Sequence, residues 1–220
     1  IPLSVASYKL SKAEPGNVDV MVFHGNPKPW QVAESWVPSL PSPKARAECL
    51  TRLARDIEAR VVVEVGVKEG KTGARMLELL PNIRHYGIDL FQPQPKATDG
   101  ETYSEWNWDG IIREYRQNLA PYRDRAVTII ADQCDAARMV PERACLVFLD
   151  ADHRCEPTRA AIRAWYPRLR DGGILAGHDY DWPSVRDAVE KELAADHEVF
   201  TLPDNIWYVY RKAPETTGEA

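Results

Sequence analysis

Val61-Val62-Val63-Glu64-Val65 leaves this chain the fewest choices of fold. Branching at Cβ restricts side-chain rotation and suits extended backbone. An apolar run without polar alternation reads as a strand buried on both faces of a parallel sheet. The run ends in Gly66-Val67-Lys68-Glu69-Gly70-Lys71-Thr72-Gly73, and helix-forming sequence begins at Ala74. Strand, glycine turn and helix together make the unit with which an open α/β sheet forms a ligand crevice at the carboxyl ends of its strands. Gly66 and Gly70 allow backbone angles and close ligand approaches that a side chain forbids. The helix start behind them offers unpaired N–H groups.

The ligand class follows from what the turn lacks. A dinucleotide site uses Gly-x-Gly-x-x-Gly to bring backbone against a pyrophosphate. Here Lys68 fills the middle position, and Glu64 stands two residues before the first glycine. A carboxylate there repels a diphosphate and suits a ligand that carries an ammonium or sulfonium charge.

The remainder continues the alternation of strand and helix. Ala47, Leu50, Leu53, Ala54 and Ile57 recur at helical spacing, and Ile83 to Asp89 reads as a second strand ending in an acid. Residues 91–108 carry Tyr103, Trp106 and Trp108 in a connection long enough to be a binding loop or lid. A helix is expected from about Asp109 to Leu119, then a strand Val127–Ile130 ending at Ala131-Asp132-Gln133, and helical sequence to Val140. Ala144 to Asp150 is another buried strand, Ser184 to Ala195 a helix, and His197–Leu202 with Ile206–Arg211 a hairpin around Pro203-Asp204-Asn205. The expected fold class is α/β: a Rossmann-like, doubly wound, seven-stranded sheet with an antiparallel edge hairpin and an irregular N-terminal arm.

That arm, residues 1–43, is punctuated by Pro2, Pro15, Pro27, Pro29, Pro38, Pro41 and Pro43, and only Val18 to Phe23 reads as a strand. Trp30 and Trp36 imply that it docks, on a second copy in a homo-oligomer or on a larger parent chain. A start at Ile1 without methionine reads as a processed piece or a domain of a longer protein. The expected organisation is the arm over 1–43, a catalytic domain over 44–212 and a polar tail over 213–220. A net charge of −5 argues against a nucleic-acid partner. No apolar run approaches the roughly 20 residues of a membrane span. Cys49, Cys134, Cys145 and Cys155 lack metal-ligand spacing, so a reduced, cytoplasmic setting is expected.

Two acid–histidine clusters carry the remaining chemistry: Asp150-Ala151-Asp152-His153, and His178-Asp179-Tyr180-Asp181 after Gly172-Gly173-Ile174-Leu175-Ala176-Gly177. Both follow strands expected to be neighbours, so they converge on the crevice beside the glycine turn. Acids and imidazoles from two strand ends are what a divalent-cation site requires.

The acidic-x-Gly-x-x-x-Gly turn resembles the first motif of the class I S-adenosylmethionine-dependent methyltransferases. The run Phe148-Leu149-Asp150-Ala151-Asp152-His153 with Gly172 to Tyr180 is similar to a small-molecule O-methyltransferase subfamily, with catechol-type and antibiotic-sugar relatives. The resemblance covers roughly residues 45–212. It implies metal-assisted transfer of a methyl group from S-adenosylmethionine to a hydroxyl of a small molecule, sugars included. It implies that Glu64, Gly66, Lys68, Gly70 and Thr72 hold the methionine end, Asp89 the ribose, and Asp132 and Gln133 the adenine. It places magnesium or manganese on Asp150, His178 and Asp179, although the family has an acid–amide pair where this chain has His178-Asp179. His153 stands where the family has a lysine base and takes the catalytic role beside Asp150. Two alternatives stay open: a metal-dependent oxygenase or hydrolase on the same scaffold, and a non-catalytic domain that binds S-adenosylmethionine.

Overall fold

A computed structural model describes residues 5–7, 20–22, 44–92 and 106–212. The chain forms two compact units, Ile1–Leu40 and Pro41–Ala220. In the first, β1 (Val5–Ser7) pairs in parallel with β2 (Val20–Val22). β2 lies inside the strand expected at Val18–Phe23; β1 had no alternating apolar pattern to announce it, and its pairing corrects the reading of the arm as irregular but for one strand. Trp30, Trp36, Tyr103 and the tail over 213–220 lie outside the described residues.

The second unit holds β3 (Val61–Val65), β4 (Arg84–Asp89), β5 (Ala126–Ile130), β6 (Ala144–Leu149), β7 (Leu169–Gly177), β8 (Phe200–Leu202) and β9 (Ile206–Tyr210). They form one seven-stranded sheet in the order β5-β4-β3-β6-β7-β9-β8. β9 is antiparallel to both β7 and β8, and the other pairings are parallel. The central strands β3 and β6 are buried at every residue, as their unbroken apolar runs require. At the turn between β8 and β9, Asp204 and Asn205 take left-handed φ of 65° and 51°, the twist a tight hairpin prefers.

Among the described residues the unit has five α-helices: α1 (Lys44–Asp56), α2 (Lys71–Leu79), α3 (Trp108–Leu119), α4 (Cys155–Trp165) and α5 (Pro183–Leu193). The β3-α2-β4-α3-β5 half winds away from β3 in one direction and the β6-α4-β7 half in the other. Right-handed crossovers therefore put α2 and α3 on one face and α4 on the opposite one. α1 packs on α2, and α5 on α4, through stripes such as Leu50–Leu53–Ala54 and Val185–Val189. α3 starts one residue before the position read from sequence, because the Asn107 side chain accepts the Gly110 N–H at 3.1 Å and caps it. The helix expected up to Val140 is only a short 3₁₀ turn, Asp135–Arg138: Pro141 follows too closely for a longer one. β7 begins at Leu169, with a register irregularity against Ala144–Leu146.

The winding order reverses at β3, whose neighbours β4 and β6 both run parallel to it, and there the strand ends are stitched together. Gly66 N–H donates to Ile88 O at 2.8 Å, Asp150 N–H to Val65 O at 2.7 Å, and His178 N–H to Leu149 O at 3.0 Å. Gly66 has φ 91°, and a Cβ on it would lie 2.0 Å from the Asp150 carbonyl oxygen. Gly172 has a similar φ of 69° but open space around it. Gly172→Ala should thus cost only the left-handed backbone, about 1–2 kcal/mol. Gly66→Ala must also displace backbone, and should cost about 3 kcal/mol or more. Urea unfolding of the two variants checks this; equal costs would contradict the close approach.

Candidate active site

A cleft of about 540 Å³ opens at the carboxyl ends of β3, β4, β6 and β7. Its floor is the glycine turn. Glu64 is 3% exposed and its Oε2 lies 3.0 Å from Nε2 of His85, itself 1% exposed. Burial pushes the Glu64 carboxyl up, the hydrogen bond and charge of His85 pull it down, and burial prevails. Lys68 and Gly70 both adopt left-handed backbone, and a Cβ on Gly70 would run into Tyr115 and Leu119 of α3. The Lys68 N–H donates to Asp89 Oδ2 at 3.0 Å, and Phe91 N–H donates to Asp89 Oδ1 at 2.9 Å. Each Asp89 oxygen keeps further acceptor capacity. The Lys68 ammonium lies 3.8 Å from the centre of the Trp106 ring, a cation–π contact at the cleft mouth. Thr72 is buried in the first turn of α2.

The opposite wall carries the acid–histidine groups. His153 Nε2 lies 3.0 Å from Asp179 Oδ2 and 3.4 Å from Asp150 Oδ1, and its ring meets Trp182 edge-on at 4.8 Å. Donor atoms of Asp150, His153 and Asp179 all fall within 4.8 Å of one another. Arg46 from α1 reaches into the same cluster. Its guanidinium donates to Asp150 Oδ2 at 2.6 Å, Asp204 Oδ2 at 3.3 Å and His178 Nε2 at 2.8 Å. His178 Nδ1 lies 2.9 Å from Asp179 Oδ1. Burial and Arg46 push the His178 imidazole down while Asp179 and Asp150 push it up, and the carboxylates prevail. A proton on Nε2 and the Arg46 bond to that atom exclude each other. Asp179, despite burial, is held below its ordinary value by its hydrogen bond to His178 and the charges of His178, His153 and Arg46.

Residues 63–180 match a family model described as a methyltransferase domain. The chain belongs to this methyltransferase family. The family's methyl donor is S-adenosylmethionine. Among solved structures, the chain is similar to the O-methyltransferase NovP at 20% identity and a TM-score of 0.62, over 77% of this chain and 80% of that one. It is similar to the calicheamicin methyltransferase CalS11 at 22% identity and a TM-score of 0.58, over 75% and 77%. An rRNA methylase from Streptococcus thermophilus aligns at 15% identity and a TM-score of 0.54, over 75% and 95%. At such identities these likenesses establish the fold. No curated protein sequence matches.

In this methyltransferase Glu64, Gly66, Lys68, Thr72, Asp89, Asp132, Gln133, Asp150, His153, His178 and Asp179 all line one cleft, and Gly70 instead faces Tyr115 and Leu119. Their side chains are not equally available. Gln133 spends its amide on Pro157 O at 3.2 Å, and Asp132 Oδ1 accepts the Cys134 N–H at 2.8 Å. His178 faces Arg46 and Asp204, whereas His153 points between Asp150 and Asp179. Asp152 pairs with Arg154 at 2.6 Å. Sequence reading missed Arg46, Asp204 and His85. A titratable residue inside a buried strand demands a partner, which was a usable signal for His85. Arg46 and Asp204 sit 158 positions apart and gave none.

Because the folded-state pKa of Asp179 is depressed, its contribution to stability is present above the ordinary carboxyl value, about 3.9. It is lost as pH falls through the lower folded-state value. Thermal melts across that acid range should show a shallower loss in Asp179→Asn than in the wild type. Parallel acid limbs would contradict the pairing.

Proposed function

We propose that the enzyme moves a methyl group from S-adenosylmethionine to a hydroxyl of a small molecule, with the acceptor at the Asp150–His153–Asp179 wall. The observation that carries this reading is the single cleft of about 540 Å³ with the glycine turn on one side and the acid–imidazole cluster on the other. The turn fits the donor: Gly66 keeps backbone bare, Glu64 supplies a negative wall for the ammonium, and Asp89 retains lone pairs for a vicinal diol. Gly66, Lys68, Gly70 and Thr72 then surround the methionine end, and Asp132 and Gln133 the adenine.

The acceptor class is supported by charge. A chain of net −5 with an acid-rich cleft is a poor match for a polyphosphate backbone, so small hydroxylated acceptors are favoured. Sugars are included, since CalS11 is described as a TDP-rhamnose 3'-O-methyltransferase. The cleft walls would hold donor and acceptor together, which is where most of the acceleration of a transfer between two bound partners originates. His153, held by the contact of its Nε2 with Asp179, would take the hydroxyl proton as general base.

A divalent cation fits the cluster. Arg46 occupies Asp150 Oδ2, so Oδ1, which His153 Nε2 approaches to 3.4 Å, would be the metal ligand, with Asp179 as the second carboxylate and His178 as the third ligand. When bound, such an ion supplies Lewis acidity to the acceptor oxygen. An imidazole in the set favours manganese over magnesium. A second arrangement follows from the short spacing of Asp150, His153 and Asp179: His153 is then a ligand instead of the base.

Calorimetry should detect S-adenosylmethionine binding by the wild type, and Asp89→Ala should weaken it by about 1–3 kcal/mol. Absence of wild-type binding would end the donor assignment. With a panel of hydroxylated acceptors, His153→Ala should lower turnover by about 10²–10⁴-fold. As a base, His153 can be removed with manganese affinity intact; as a ligand, its loss weakens manganese binding as well.

A further inference from the structure

The glycine run at the head of α2 contains one residue the donor site does not explain, Gly73. It lies inside the helix, where glycine costs about 1 kcal/mol relative to alanine. A Cβ at this position would fall 2.6 Å from Cε1 and 2.7 Å from Nε2 of His85, and 2.8 Å from Glu64 Oε2. The helix is thus bare where the Glu64–His85 pair needs room. β3 and β4 run in register, with Val62 opposite His85 and Glu64 opposite Gly87, so both side chains project from the same face of the sheet. His85 is 1% exposed and does not line the cleft, whereas Glu64, to which it is hydrogen-bonded, does.

We propose that His85 is a positioning residue that sets the charge of Glu64, so that binding of a cationic ligand at the glycine turn is coupled to release of a proton from the pair. This rests on the reading of Glu64 as the partner of the donor's ammonium. With His85 Nε2–H donating, Glu64 is an ionised acceptor and the pair carries one negative charge. Adding a proton neutralises the pair, whichever residue takes it. His85 Nδ1 is buried without a hydrogen-bond partner among the described residues, so a second proton on the imidazole gains nothing there. Other groups also face Glu64: Asp150 from the end of β6, Arg46 from α1 and Tyr115 from α3. Asp150 raises the Glu64 pKa and Arg46 lowers it; only His85 is hydrogen-bonded to the carboxylate among the described residues. A cationic ligand favours the charged form of the pair, and the excess proton leaves to solvent.

Titration of the full chain with S-adenosylmethionine, in two buffers of different ionisation enthalpy between about pH 5 and pH 8, reads the coupling directly. The wild type should release a proton on the acid side of this range, and its affinity should fall there as pH falls. His85→Phe removes the donor, so the acid limb of binding should move upward by about one pH unit or more. His85→Gln places an amide donor near the same position and should bring the limb most of the way back. A merely structural role for His85 would lower thermal stability in both variants without moving the limb. The proposal is overturned by a folded His85→Phe with the wild-type limb, or by a His85→Gln that fails to restore it. Should His85→Phe not fold, wild-type binding without buffer-dependent enthalpy overturns it alone. Absence of wild-type binding at every pH defeats the donor reading, and this proposal with it.

Discussion

The ends of β3 and β6 touch at Gly66, and the site depends on that contact. No side chain fits between Gly66 and the Asp150 carbonyl, and the Asp150 N–H is bonded to Val65 O. The glycine turn and the first acid of the second cluster are therefore locked side by side by backbone alone. Because β4 and β7 are stitched to the same pair, Asp89 and His178 inherit their places from the ladder rather than from loop conformation. Sites carried on strand ends in this way keep their geometry even when the surrounding loops differ.

Charge is the second organising constraint. The cleft gathers Glu64, Asp89, Asp132, Asp150 and Asp179 against Arg46 and Lys68. Carboxylates at such density repel unless something answers them, and three of these are answered in different ways. Asp89 is held by backbone N–H groups, Glu64 by an imidazole, and Asp150 by the Arg46 guanidinium. Half-buried ion pairs contribute little net stability once desolvation is counted. Their value here is positional: Arg46 ties α1 to the ends of β6 and β7 and to the hairpin turn at Asp204. The acid-rich remainder suits a ligand with ammonium and sulfonium charges, and it opposes phosphate.

Local sequence choices also bend toward the site. Gly73 gives up helix stability to make room for Glu64 and His85, and Lys68 accepts a left-handed backbone that aims its N–H at Asp89. Both break the rule that each residue should favour its own element. Such departures concentrate where a fold holds function.

The sequence by itself determined the sheet and the place of the crevice. Val61–Val65 and Ala144–Leu149 are apolar at nearly every position, and a strand buried on both faces belongs at the centre of a parallel sheet. It also marked the glycine turn, the strand-end acid Asp89 and both acid–histidine clusters, because those signals are contiguous in the chain. Tertiary structure decided which side chains meet. Arg46 crosses from α1 to Asp150, Asp204 and His178, while His153 Nε2 and His178 Nδ1 both approach Asp179. Likewise Gln133 lines the cleft but gives its amide to Pro157 at the start of α4. Periodicity places a residue on a strand end or a helix face. Where its side chain points depends on partners in other elements, 24 positions away for Gln133 and 104 for Arg46 with Asp150, and no local pattern encodes them.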